Sequence, residues 1–284
     1  MFHRHDNRTI HSLSFGSGRG TFVGVAGSFA NWEVWAPTFE LLSRSWRCVG
    51  LDHDGVGLTE TTLDAITHDR HVETLFAVLD AQGVDRCVVG GHSVNASVAI
   101  DAVLRDPTRF DGLVICNGHG WGMDRPDIRS FATALRSNFA AAVDYFVEAV
   151  LPESNTDDAK RWLRSAMHRT GPESCARVLE AKYPVDLRAR LAEVSVPTLV
   201  LHGTLDAISP DPLGEATTFT REIADATLVV LDGVGHLPLL SRSDQVAETL
   251  HDFLTRAVRH RHALAAGSPA PWELTDAGAL VLDH

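Results

Sequence analysis

The chain has 284 residues, enough for one large α/β domain with an inserted subdomain or for two small domains. Apolar residues make up 44% and charged residues 22%, the balance of a globular protein rather than a disordered or fibrous one. The formal net charge of −12 argues against nucleic acid or an anionic membrane as a partner, because binding phosphate needs a basic surface.

The segment Met1 to Phe15 has no apolar core and reads as neither signal peptide nor membrane anchor. No apolar run approaches membrane-spanning length. Thr9 to Phe15 alternates and predicts a first strand, and Thr21 to Val25 predicts a second. Trp35, Phe39 and Leu42 share a helical face. Cys48 to Leu51 predicts a strand that ends in the glycine-rich turn Asp52-His53-Asp54-Gly55-Val56-Gly57. Val72, Leu75, Phe76 and Leu79 recur at helical spacing, with Gly83 as a fitting C-cap. Strands follow at Cys87 to Gly90 and Leu113 to Cys116, with a helix between them that stops before Pro107. Strands alternating with helices imply βαβ units and a mostly parallel sheet.

The alternation breaks near Gly118. From His119 to Tyr183 the sequence contains no convincing strand, only helical segments such as Phe139 to Val150 and Thr156 to His168, broken by Pro152, Gly171-Pro172 and Pro184. A helical cap over 119–183 is therefore expected, inserted between core segments 1–118 and 184–262. Strands resume at Thr198 to Leu201 and Thr227 to Leu231, and Val246, Leu250, Phe253 and Val258 mark a last helix. Residues 263–284, with Gly-Ser-Pro-Ala-Pro, read as a linker and short docked tail. Cys48, Cys87 and Cys116 fall inside predicted strands and Cys175 stands alone in a polar helix. Buried free thiols fit this better than disulfides, which points to a reducing cytoplasm.

The chemistry centres on Gly91-His92-Ser93-Val94-Asn95. A serine at a sharp strand-to-helix turn is held in a strained backbone with its hydroxyl over the sheet edge, the sense of a G-x-S-x-G nucleophile elbow. Gly91 and Ser93 match, and Asn95 stands where the second glycine would be. Serine is a weak nucleophile and needs a base that is itself oriented by a carboxylate. Asp206 follows the strand at Leu199 to Leu201, and His236 follows the strand at Leu228 to Leu231, in the order serine, acid, histidine. Asp124 is a rival acid, placed after the preceding strand. The oxyanion donors expected are the N–H groups of Val94 and of Ser28, in the loop after the Phe22 strand. Phe29, Asn95, Trp121, Leu205 and Leu237 are expected to contact substrate, Asn95 by turning its amide into the pocket. His92 and His202 read as structural. None of the fifteen histidines stands in an H-E-x-x-H motif, and Cys-x-x-Cys spacing is absent, so neither a metal nor a cofactor is expected.

These motifs, with Asp52 to Thr59, Val196 to Gly203 and Gly235-His236-Leu237-Pro238, resemble those of α/β-hydrolases over about residues 9 to 260. Gly-His-Ser-Val with Gly-His-Leu-Pro is most similar to the branch of bacterial stress-signalling hydrolases and plant strigolactone and karrikin receptors. The resemblance implies the α/β-hydrolase fold, a mostly parallel eight-stranded sheet flanked by helices with the cap inserted after the sixth strand. The sequence departs from the family at Ala26, where the oxyanion loop usually carries histidine, and at Asn95. The expected activity is that of a cofactor-free serine esterase acting on a small, largely apolar ester or lactone through an acyl-enzyme. The alternatives are a C–C bond hydrolase, thioesterase or cyclase of natural-product metabolism, and a ligand receptor with slow hydrolysis. The expected partner is a small-molecule substrate, without nucleic acid or membrane, and a homodimer is left open.

Overall fold

The strands, in chain order, are β1 (Phe2–His5), β2 (Arg8–Phe15), β3 (Thr21–Val25), β4 (Arg47–Leu51), β5 (Cys87–His92), β6 (Phe110–Cys116), β7 (Thr198–Gly203) and β8 (Ala226–Leu231). They come from a computed structural model that describes residues 1–18, 20–209 and 211–265. Together they form one eight-stranded sheet in the order β1-β2-β4-β3-β5-β6-β7-β8. β1, β2 and β4 pair antiparallel, and every pairing from β4 to β8 is parallel. The helices are α1 (Ala36–Leu42), α2 (His68–Ala81), α3 (Ala96–Arg105), α4 (Pro126–Ser137), α5 (Phe139–Val150), α6 (Asp157–Thr170), α7 (Pro172–Glu180), α8 (Pro212–Glu222), α9 (Pro238–Ser241) and α10 (Ser243–Ala265).

Burial follows the two-residue period of the strands. Phe22, Val88, Val114 and Leu199 face the layer of α1 and α10, while Val23, Cys87, Val89 and Leu113 face α2, α3 and α8. Both faces are covered, so β5, β6 and β7 are buried at every residue and read as continuous apolar runs. Each aliphatic side chain fully buried in this way contributes about 1.5–3 kcal/mol. All four cysteines are free and buried. Among the described residues, no helix is long and apolar enough to cross a membrane.

Between β6 and β7 the chain builds α4 to α7. Their apolar faces, including Leu135, Val143, Leu163, Met167 and Cys175, join the core on the α1 and α10 side. Two of these helices, α4 and α7, start on Pro126 and Pro172. Proline suits a first helical turn, where its missing N–H has no partner to lose. Pro172 therefore opens a helix where the sequence suggests a break. β1, too short to stand out from the polar N-terminus, adds an edge strand ahead of the one expected first. The tail expected over 263–284 lies outside the described residues from 266 onward, and α10 runs to Ala265.

Candidate active site

β5 ends at His92 and the chain turns through a 3-10 turn, Ser93–Asn95, directly into α3. Ser93 sits at φ 58°, in the left-handed region that non-glycine residues rarely occupy. The turn is tight because strand and helix almost touch. A Cβ on Gly91 would lie 2.6 Å from the Ala96 Cα and 2.6 Å from the Asn95 carbonyl oxygen, so glycine is required there. Val94, second in the 3-10 turn, has an N–H with no partner inside that turn.

His236 Nε2 lies 2.8 Å from Ser93 Oγ, and His236 Nδ1 lies 2.8 Å from Asp206 Oδ2. The strand order brings the three together: β5, β6, β7 and β8 are consecutive neighbours, and Ser93, Asp206 and His236 follow β5, β7 and β8 at the same edge of the sheet. Asn117, at the end of β6, donates Nδ2–H to Asp206 Oδ2 at 2.8 Å, and the Ile208 N–H donates to Asp206 Oδ1 at 3.0 Å. Burial opposes the Asp206 charge, but His236, His202 and Asn117 outweigh it and hold the carboxyl well below the usual carboxylate range. His92 donates Nε2–H to the His236 carbonyl at 2.8 Å, and burial keeps its ring neutral by lowering its pKa to about 3. Asp124 is at the surface, 2.8 Å from Arg129, and takes no part.

Ser93 and His236 open into a cavity of about 200 Å³. Gly27, Ser28, Val94 and Leu237 form its floor, and Phe29 stands in its wall against Phe146, ring centroids 5.0 Å apart. The segment between β6 and β7 adds Met123, Ile128, Phe131, Leu163 and Leu179, with Asp127 and Tyr145 also lining the cavity. A mostly apolar chamber that contains a serine nucleophile suits a small apolar acyl group. Among the described residues, no group of three His, Cys, Asp or Glu side chains stands where it would hold a metal ion.

The sequence profile of the alpha/beta hydrolase family matches residues 22–249. The chain belongs to the alpha/beta hydrolase family. Its sequence is similar to a pimeloyl-[acyl-carrier protein] methyl ester esterase of Aliivibrio salmonicida, 27% identical over 82% of this chain and 91% of that one. It is also similar to a karrikin insensitive 2 receptor of Petunia hybrida, 26% identical over 87% of this chain and 93% of the receptor. Its fold superposes on an enol-lactonase from Burkholderia xenovorans with a TM-score of 0.82 and 22% identity, covering 90% of this chain and all of that one.

Three expected substrate contacts of this hydrolase lie elsewhere. Asn95 is fully buried and donates Nδ2–H to the Ala26 carbonyl at 2.7 Å, at the start of the oxyanion loop, so its amide does not reach the cavity. Neither Asn95 nor Ala26 lines the cavity. Trp121 packs on Phe219 at 4.9 Å under the Arg188 guanidinium, on the opposite core face. Leu205 is 48% exposed, because the loop after β7 is pinned by its N–H to the Val234 carbonyl and turns the side chain outward. Ala207 and Ile208 line the cavity instead. Asn117, His92 and the cap's Phe131 and Phe146 complete the site. Asn117 has no motif of its own in the sequence. Position immediately after a predicted strand is the one signal it carries.

Proposed function

We propose that this alpha/beta hydrolase is a cofactor-free serine esterase that cleaves a small, largely apolar ester or lactone through an acyl-enzyme. One observation carries the reading: two 2.8 Å contacts link Ser93 through His236 to Asp206 beside a mostly apolar cavity. Ser93 Oγ attacks the carbonyl carbon as His236 Nε2 takes its proton. Asp206 accepts the Nδ1–H, fixes the ring's orientation and stabilises the imidazolium. The oxygen of the tetrahedral intermediate takes hydrogen bonds from the N–H groups of Ser28 and Val94. His236 then protonates the departing alkoxide, and water, activated by the same histidine, releases the acid and restores Ser93. The cap excludes bulk water, which strengthens each of these electrostatic contacts.

The family's esterase members support the bond type, and the apolar lining supports the substrate class. Four buried free thiols support placing the protein in a reducing compartment, the cytoplasm. The test is kcat/KM on a p-nitrophenyl ester series from acetate to octanoate. Turnover should be best for short acyl groups, decline as the chain outgrows the cavity, and fall by roughly 10⁴- to 10⁶-fold in Ser93→Ala. Hydrolysis that survives Ser93→Ala unchanged would overturn the assignment. Uniformly slow turnover with ligand-dependent capture of a protein would favour the receptor alternative.

A further inference from the structure

The oxyanion loop of this protein is braced from behind by His53. His53 is fully buried, outside the cavity, and its Nε2 lies 3.0 Å from the Gly27 carbonyl oxygen. That carbonyl and the Ser28 N–H belong to one peptide group. A trans peptide is planar and directs its C=O and N–H to opposite edges. A bond that holds the Gly27 oxygen away from the cavity therefore aims the Ser28 N–H into it.

The position of the ring's proton follows from a chain of buried contacts. Lys182, buried just beyond the last cap helix, has its Nζ 3.0 Å from His71 Nδ1 and 3.2 Å from His68 Nδ1. A backbone carbonyl only accepts, so His71 Nε2, which faces the Asp54 carbonyl, carries the proton of the neutral ring, and His71 Nδ1 accepts from Lys182. That Nε2–H donates to the Asp54 carbonyl at 2.9 Å. His53 Nδ1 faces the same carbonyl at 3.1 Å. The Asp54 oxygen already has a donor in His71, whereas among the described residues no other group donates to the Gly27 oxygen, so the single proton of a neutral His53 satisfies more on Nε2, toward Gly27. Burial favours the neutral ring. The backbone that carries His53 is itself anchored, because the Asp54 carboxylate takes Arg8 Nη1 at 2.7 and 2.8 Å.

We propose that His53 is a positioning residue for ester hydrolysis: it donates from Nε2 to the Gly27 carbonyl and so aims the Ser28 N–H at the oxyanion. The inference rests on the Ser93 esterase reading for its kinetic part and on the burial and contacts of the ring for its proton. Two variants separate hydrogen bond from packing. His53→Leu fills the space without a donor, and His53→Gln restores a donor at nearly the same reach.

The experiment combines ¹⁵N NMR of the histidine rings with steady-state kinetics and inhibition by a trifluoromethyl ketone, whose adduct places an oxyanion in the hole. The expected results are His53 protonated at Nε2, and a His53→Leu protein whose kcat falls roughly 10- to 100-fold at little-changed KM, less than the loss of a whole oxyanion donor. Its affinity for the ketone should fall in parallel, and His53→Gln should recover most of both. A proton on Nδ1, a folded His53→Leu protein with unchanged kcat, or a loss confined to KM would each overturn the proposal. If His53→Leu does not fold, the ring proton and the His53→Gln kinetics decide. Failure of the esterase reading would show separately, as a wild-type protein whose Ser93 neither turns over esters nor forms the ketone adduct.

Discussion

At the scale of single residues, the two departures from the family pattern meet in one contact. Asn95 replaces the elbow's second glycine, Ala26 replaces the loop's usual histidine, and the Asn95 amide holds the Ala26 carbonyl at 2.7 Å. The loop is thus tied to the elbow by a side chain that the usual glycine lacks. Asn95→Gly leaves that buried carbonyl without its donor, a loss of roughly 1–3 kcal/mol in stability. Because Asn95 touches the loop and not the cavity, kcat/KM should fall by a similar factor for every ester in a panel. Urea denaturation measures the first effect and the panel the second. A changed order of preference among esters would contradict this placement of the amide. Ser93, His236 and Asp206 were legible in the sequence because each follows a strong apolar run. The direction of the Asn95, Trp121 and Leu205 side chains was not, because it depends on which neighbour each finds across the fold.

At the scale of elements, the cap is fastened to the loop that carries the histidine. The His236 N–H donates to the Val150 carbonyl at the end of α5 at 3.0 Å. Just beyond, the buried Glu153 accepts the Gly235 N–H at 2.8 Å and the Ser241 hydroxyl at 2.7 Å through one oxygen. Moving the end of α5 therefore moves His236. Glu153→Ala should cost roughly 1–3 kcal/mol in stability, measured by urea denaturation, and should lower kcat, while Glu153→Gln, which keeps the accepting oxygen, should stay near wild type. Equal losses in the two variants would mean that the carboxylate's charge, not this hydrogen bond, is what matters. Such ties between distant segments leave no local sequence pattern. That the segment between β6 and β7 holds helices and no strand was legible in the sequence. The first and last of these helices were not, since prolines that end one helix also begin the next.

At the scale of the whole molecule, Lys182 is a buried charge that the fold tolerates where the cap rejoins the core. Burial lowers its pKa from 10.5 to about 7. Below about pH 7 the amine is charged in both folded and unfolded chains, and the cost of burying that charge is present in full. Between about 7 and 10.5 the folded chain has released the proton and the unfolded chain has not, so stability rises with pH. Lys182→Met removes this contribution. The stability of wild type minus that of the variant should therefore increase by a few kcal/mol, in order of magnitude, from pH 6.5 to pH 9. Chemical denaturation at a series of pH values measures it, and a difference independent of pH would place the lysine charge in water. The sheet, with its long apolar runs at regular spacing, was the part of the molecule most fully written in the sequence. The buried polar chain from Lys182 to Gly27 was the least, because it joins residues 27, 53, 71 and 182 only after folding.

The central claim is that His236 activates Ser93 as a nucleophile, and covalent labelling tests it most directly. A fluorophosphonate probe incubated with native protein should add one mass equivalent, mapped by peptide mass spectrometry to Ser93. The label should be absent in Ser93→Ala and sharply slowed in His236→Ala. Undiminished labelling of Ser93→Ala, or a native protein that takes up no label, would contradict the account.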